Sequence, residues 1–419
     1  MKIETVAVYS TADANSLHVK LADRSVCIGP PQSAQSYLMH ASLITAALNT
    51  GCDALHPGVG FLSENASFAA LVRKSGLIFI GPDAQTIELL GDKVLARKTA
   101  AEFGLPVTPG TSGAVSNDNI AVQAAEAIGF PVIIKAAAGG GGKGMRIVHR
   151  REDLAENLSI AGREAESNFS DNRVFIERYI ENPRHVELQI LCDGEGKISI
   201  LGERDCSVQK NHQKLIEESP SPGINDEMRT RMAMGARKLF GELKYRGAGT
   251  IEFLAEGGDF YFMEVNARVQ VEHPVSEFVT GVDIIRQQIL ACAGNGTEIP
   301  DGSIAPLGWA IECRINAASP GKITQLHIPG GPGVRFDTFL HNGCMVPPFY
   351  DSMIAKLIVH GNDRDHAISK MNASLSELRI DGIKTNINTQ RRIINDRVFK
   401  SGNFGTAYYQ SIAGETENA

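Results

Sequence analysis

The chain has 419 residues, of which 43% are hydrophobic and 21% charged, so it can bury two or three domain cores and is not a disordered polymer. Its net charge of −7 argues against a general nucleic-acid binder. Seven cysteines without C-x-x-C or His/Cys ligand spacing read as reduced thiols, not as a disulfide frame or a zinc site.

Residues 1–80 alternate short strands and helices: a strand over 5–9, a helical stretch over 33–49, a helix over 65–75 and a strand over 77–80. That rhythm predicts a parallel α/β sheet covered by helices. The chain opens directly on a strand, without the helical cover expected before it. HPGVGFLSEN, residues 56–65, is a glycine-bearing loop running into a helix, and turning the chain is sufficient reason for it. Neither a leader peptide nor a membrane-length apolar run is visible, so a cytoplasmic location with no membrane partner is expected.

Gly81-Pro82 breaks the first pattern, and Asp92-Lys93 lies in a helical stretch ending near Phe103. Pro106 and Pro109 mark the start of a small unit of about 108–180. It holds a helix near 120–128, a strand over 131–135, a glycine run, a helix over 152–167 and a strand over 174–180. From residue 181 follow strands over 185–191 and 198–203, a helix near 227–243 and a hairpin over 247–274. Beyond residue 301 come strands over 309–315 and 353–359 and a helix over 366–379.

The hairpin carries the first chemical signal. Apolar runs over 250–256 and 260–266 flank Gly257-Gly258-Asp259. A three-residue loop would put Glu256 opposite Phe260 and Glu252 opposite Glu264, with Glu252, Glu264 and Asn266 on one face. Acids directly across a ladder repel unless a cation sits between them. Two carboxylates and an amide oxygen suit Mg²⁺, which bridges to nucleotide phosphates. Two glutamates alone fit a solvated face; adding Asn266, Arg268 and Glu272 favours a metal–nucleotide site. On an extended chain Arg268, Gln270 and Glu272 would share one face.

The glycine run gives the second signal. In VIIKAAAGGGGKGMR, residues 132–146, an apolar strand ends on Lys135 and leads into Gly139, Gly140, Gly141, Gly142 and Lys143. Successive N–H groups of such a run can form an anion nest. The GK[ST] ending of a Walker loop is absent, so a flap folding over phosphates is expected; a flexible linker would not need the lysines. Lys93 is a possible second phosphate contact, although a lone helical lysine is usually solvated. Tyr179 and Ile180, at the end of the small unit, suit a nucleobase wall, with Glu177 accepting from an amine or ribose hydroxyl. An ordinary buried strand accounts for those residues equally well.

Taken in order, these pieces resemble the ATP-grasp ligases. HPGVGFLSEN, VIIKAAAGGGGKGMR, ENPRHVELQ, ERDCSVQKNHQKLIEESP, FMEVNARVQVEHPVSE, ECRINA and PPFYDSMIAKL are similar, more narrowly, to the biotin carboxylase family, and they run from residue 56 to 357. The resemblance implies an α/β (α+β) ATP-grasp architecture. Residues 1–80 would form a Rossmann-like N-terminal domain lacking the family's first strand and helix. An ATP-grasp domain would span 81–300, with a flap at about 108–180, and a C-terminal biotin carboxylase domain 301–412.

It further implies a C–N-bond-forming ligase that uses ATP and bicarbonate to carboxylate biotin through carboxyphosphate. Lys93, Lys135 and the loop with Gly140, Gly141 and Gly142 would hold phosphates, and Glu177, Ile180, His185, Gln209 and His212 would surround the nucleotide. Glu252, Glu264 and Asn266 would bind Mg²⁺ or Mn²⁺. Lys214, Arg268, Gln270 and Val271 would embrace bicarbonate, Glu272 would be its base, and Arg314 would stabilise the biotin enolate. The implied partners are a biotin carboxyl carrier protein, carboxyltransferase subunits and a second copy of the chain. Acetyl-CoA carboxylase is the expected setting. Propionyl-CoA or pyruvate carboxylase, a carbamoyl-phosphate-forming ligase and a non-catalytic homologue are the alternatives. Val59 stands where the family usually has tyrosine, Lys210-Asn211 where it has two arginines, and Pro332 where an aromatic is common.

Overall fold

Capping and alternation decide where the elements fall. In the computed structural model, which describes residues 1–111, 113–115, 118–137 and 144–414, two parallel strand pairs open the chain. β1 (Val6–Ser10) lies beside β2 (Arg24–Gly29), and β3 (Ala54–Leu55) beside β4 (Ile78–Phe79). The helical stretch expected over 33–49 is α-helical only in α1 (His40–Asn49). Asn65 accepts from the Phe68 N–H and starts α2 (Ala66–Lys74), which buries Phe68, Ala69 and Val72.

One helix was expected around Asp92, and there are two. Asp92 accepts from the N–H groups of Val94 and Leu95, ending α3 (Ala84–Gly91) and capping α4 (Lys93–Glu102). The cap sets Lys93 at the first helical position, and its N–H is tied to the Ala137 carbonyl at 3.0 Å.

The small unit contains α5 (Asp118–Ile128), β5 (Val132–Ala136), β6 (Arg146–Val148), α6 (Leu154–Phe169) and β7 (Val174–Arg178). Its antiparallel sheet has the order β6-β5-β7. Leu154, Leu158 and Ala161 form one face of α6 and pack on Ile134, Val148 and Ile176.

The remaining chain builds a nine-stranded sheet. Its elements begin with β8 (Arg184–Asp193), β9 (Ile198–Lys210), β10 (Gln213–Ser219), α7 (Asp226–Glu242), β11 (Arg246–Glu256) and β12 (Asp259–Asn266). They continue with α8 (His273–Thr280), α9 (Ile284–Cys292), β13 (Gly302–Ser303), β14 (Trp309–Asn316), β15 (Val334–Thr338), β16 (Met353–Gly361) and α10 (Arg364–Glu377). The strand order is β12-β11-β8-β9-β10-β14-β16-β15, with β13 beside β9. The antiparallel β10–β14 pairing carries this sheet through residue 301.

Alternation along β8 separates a greasy face from a polar one. Val186, Leu188 and Ile190 pack with Met232 and Leu239 of α7, each worth roughly 1.5–3 kcal/mol. His185, Glu187 and Gln189 point the other way, and they too are buried. At the far end Ile311, Cys313 and Ile315 pack with Leu357 and Met371, while Ala310 and Ile358 on the opposite face meet Val275 and Val279 of α8.

The hairpin register differs from the expected one in an instructive way. The loop is the two residues Gly257-Gly258, so Glu256 faces Asp259 and not Phe260. Phe253 faces Phe262, the next pair is Glu252 with Glu264, and the extra residue, Met263, forms a bulge. The bulge cancels the loop difference, so Glu252 still lies opposite Glu264. Among the described residues no helix is long and apolar enough to cross a membrane.

Candidate active site

Glu264, Glu252, Glu187 and Arg204 stand directly opposite one another across β12, β11, β8 and β9. Three acids in one row are unstable without cations, and each acid has at least one. Lys93, delivered by its cap, pairs with Glu264. His185 Nε2 lies 2.8 Å from Glu252, and Arg204 Nε donates to Glu187 at 2.5 Å. Arg204 is fully buried and also donates to Gln189, Ser276 and Thr250 at 2.6, 3.1 and 3.0 Å.

Lys214 is the hub. Its ammonium lies 2.7 Å from Glu187, 3.1 Å from Glu252, 2.6 Å from Glu272 and 3.3 Å from Gln270 Oε1. Burial opposes its charge, but the surrounding acids outweigh burial and raise Lys214 well above its ordinary value. The other oxygen of Glu272 accepts from Arg314 at 3.0 Å, and Arg314 Nε donates to Glu217 at 2.5 Å. Burial works against ionised Glu272 too, yet Lys214 and Arg314 hold it well below the usual carboxylate range. Glu252 is held low in the same way, by Lys214 and His185 against burial.

The extended-chain expectation for 268–272 fails. Glu272 lies in a turn and occupies the N-cap position of α8. Arg268 therefore goes one way, to Glu64 at 2.8 Å and to the Asn266 side-chain Oδ1 at 2.9 Å. Gln270 and Glu272 go the other way, to Lys214; Gln270 also donates to Glu252 at 2.8 Å. Asn266 donates to Glu252 at 2.9 Å, and the Val271 carbonyl accepts from Lys356.

The residues expected around a nucleotide divide into two groups. Lys135 meets Glu177 at 2.5 Å, and Arg97, which the sequence did not flag, takes the other oxygen of Glu177. Gln209 Nε2 sits 2.6 Å from His185 Nδ1, and Ile180 is buried. His212 lies exposed at the β9–β10 turn with φ 63°, with Lys135 as its charged neighbour. Gly140, Gly141 and Gly142 lie outside the described residues.

Glu252, Glu264 and Asn266 fit a hard divalent cation: two acids opposite in register, one held ionised, and an amide oxygen beside them. His185, Glu187 and Glu252 also offer atoms within 4.8 Å of one another, and Arg204 and Lys214 pair with Glu187 there as Lys93 does with Glu264 and Lys214 with Glu252. Glu187, Cys206 and Glu272 form a similar set, in which burial keeps the Cys206 thiol protonated. Sequence reasoning missed Glu64, Arg97, Glu187, Arg204 and Glu217. Glu64, Glu187, Arg204 and Glu217 lie inside the motifs HPGVGFLSEN, ENPRHVELQ and ERDCSVQKNHQKLIEESP, which was the available signal.

Comparison with known proteins agrees across the chain. Three family models match: biotin carboxylase N-terminal domain over 1–87, carbamoyl-phosphate synthase L chain ATP-binding domain over 92–299, and biotin carboxylase C-terminal domain over 312–411. The biotin carboxylase of Haemophilus influenzae is 50% identical over 99% of this chain and 94% of its own. A pyruvate carboxylase subunit of Methanothermobacter thermautotrophicus is 45% identical over 97% and 84%. The Campylobacter jejuni biotin carboxylase–β,γ-ATP complex superposes with a TM-score of 0.95 at 44% identity, covering 97% of this chain and 93% of that one. The biotin carboxylase domain dimer of Hydrogenobacter thermophilus 2-oxoglutarate carboxylase, with MgADP, ADP and bicarbonate, gives 0.94 at 41% identity over 98% and 92%. An acid row on an ATP-grasp sheet, a lysine hub and matches along the whole length lead to one assignment: the chain belongs to the biotin carboxylase family.

Proposed function

We propose that the chain uses ATP to join bicarbonate to the ureido nitrogen of biotin held by a separate carrier protein. The observation that carries this reading is Glu272 bridging Lys214 and Arg314 beside the Glu252–Glu264 pair. Lys93, Lys135 and the 139–144 loop bind phosphates, and Glu177, Ile180, His185, Gln209 and His212 enclose the nucleotide. Glu252, Glu264 and Asn266 would hold Mg²⁺ or Mn²⁺, which would supply positive charge against the phosphates.

Lys214, Arg268, Gln270 and the Val271 backbone orient bicarbonate, and Glu272 takes its proton as it attacks the γ-phosphoryl group, giving carboxyphosphate and ADP. With Lys214 and Arg314 both upon it, Glu272 is a poor base. Bicarbonate draws Lys214 away and biotin draws Arg314 away, so its basicity rises when the substrates arrive. Phosphate then leaves carboxyphosphate and takes the ureido N–H proton as the nitrogen bonds to the released carboxyl carbon, while Arg314 stabilises the enolate-like biotin oxygen. Closure of the 108–180 unit excludes water, in which carboxyphosphate decomposes.

In this reading residues 1–80, 81–300 and 301–412 are the three working units. A biotin carboxyl carrier protein, carboxyltransferase subunits and a homodimer are the assembly, with acetyl-CoA carboxylase as its setting. The 45% identity to a pyruvate carboxylase chain favours a keto-acid carboxylase as the second reading. The test is bicarbonate-dependent ATP hydrolysis with and without free biotin. Biotin should stimulate turnover, and Glu272→Gln should lower the stimulated rate about a hundredfold. Turnover of the unmodified protein that ignores biotin would overturn the reading.

A further inference from the structure

One pair of acids is left over by this chemistry. Glu217 of β10 and Glu312 of β14 are directly opposite in an antiparallel ladder, and both are fully buried. Alternation puts Glu312 on the face of Arg314, the face that α8 covers through Ala310 and Ile358. One Glu217 oxygen accepts from Arg314. The other Glu217 oxygen and both Glu312 oxygens are buried and meet no hydrogen-bond donor among the described residues.

No nearby cation donates to the three free oxygens. Arg314 divides its donors between Glu217 and Glu272, and Lys214 serves Glu187, Glu252 and Glu272. Lys356 of β16 donates to the Val271 carbonyl and lies 3.6 Å from Asp337. Glu272, at the N-terminus of α8, adds like charge. Two bare carboxylates at paired positions in such a setting are among the least favourable arrangements a protein interior can hold.

We infer that Glu312 carries a proton, shares it with the free oxygen of Glu217, and thereby fixes the carboxylate that orients Arg314. One proton between two carboxyls leaves the pair a single negative charge, which the Arg314 guanidinium matches. Burial, which outweighs the nearby cations, pushes Glu217 up to about 7 and Glu312 well above the usual carboxylate range. Neither residue touches substrate; both are positioning residues, and Glu312 acts through Glu217. The role at Arg314 rests on the function proposed above.

The test uses the full chain, with infrared spectroscopy of the neutral carboxylic acid C=O stretch at neutral pH and the KM for free biotin in stimulated ATP hydrolysis. The unmodified protein should show a neutral-acid band that Glu312→Gln lacks. Glu312→Gln, whose amide donates the same hydrogen bond, should keep the biotin KM within about twofold, and Glu312→Met, which cannot donate, should raise it about tenfold. No band attributable to Glu312, or Glu312→Gln as damaging as Glu312→Met, would overturn the inference. Both variants keep the side-chain length, so if one fails to fold the other still decides through its band and its KM. The infrared band tests the proton whatever the substrate. A protein whose turnover ignored biotin but which kept the band would sink the function and uphold the shared proton.

Discussion

Two stretches of one sheet hold buried glutamates at directly paired positions and treat them in opposite ways. On β12, β11 and β8, Lys93, Lys214 and Arg204 donate to the acids, His185 Nε2 lies 2.8 Å from Glu252, and Glu252 is held well below the usual range. On β10 and β14 a single guanidinium serves Glu217, nothing serves Glu312 among the described residues, and burial holds Glu312 well above that range. Glu187 and Glu252 match Glu217 and Glu312 in residue type and depth. The supply of donors decides whether the site keeps a charge, which can hold a cation, or a proton, which cannot.

Breaking the first stretch should have the largest effect. Lys214→Met strips the shared ammonium from Glu187, Glu252 and Glu272. Stimulated ATP hydrolysis should fall about a thousandfold. Urea melts should register a loss of about 3–5 kcal/mol, since uncompensated charges would remain buried. Glu64→Gln sharpens the comparison at the rim, where Arg268 would lose its charged partner but keep Asn266. The bicarbonate KM should rise about tenfold, with thermal stability little changed because Glu64 is partly exposed.

The smallest effect should come from emptying the second stretch. Because the folded-state pKa of the pair is raised, the folded protein keeps a proton that the unfolded chain releases. The unmodified protein therefore loses stability as pH rises from about 4.5 through 7, by at most about 1.4 kcal/mol per pH unit. Glu312→Met removes the Glu312 share of that slope and leaves the share that burial imposes on Glu217. It should melt a few degrees higher than the unmodified protein at about pH 8, with the gap closing near pH 4.5.

Much of the acid row was legible because alternation is a strong constraint, although the apposition of Glu252 and Glu264 survives only through the bulge at Met263. A linear pattern does not reveal an extra residue in a ladder, since nothing in Phe-Met-Glu distinguishes a bulge from a continuous strand. Arg204, Glu187, Glu217 and Glu312 stayed hidden for another reason. Glu187 and Glu312 alternate with apolar neighbours and Arg204 and Glu217 stand in charged clusters, patterns that both suit a solvated face. The cover that α8 lays over β14 is packing the sequence does not announce. Glu64 lay in a motif that carried the family resemblance but no role for Glu64 itself, and its contact with Arg268 spans 204 positions. The turn before α8 sent Arg268 and Glu272 apart although period-two spacing put them together.

The pairing of β10 with β14 limits how this enzyme can be cut into pieces. A fragment ending near residue 300 would keep the Glu252–Glu264 row but leave the outer edge of β10 bare, its main-chain donors and acceptors open to any passing strand. Such a piece should self-associate in solution. Attempts to exchange the nucleotide half between relatives will do better by joining chains at surface turns, carrying β14 and its neighbours along with it.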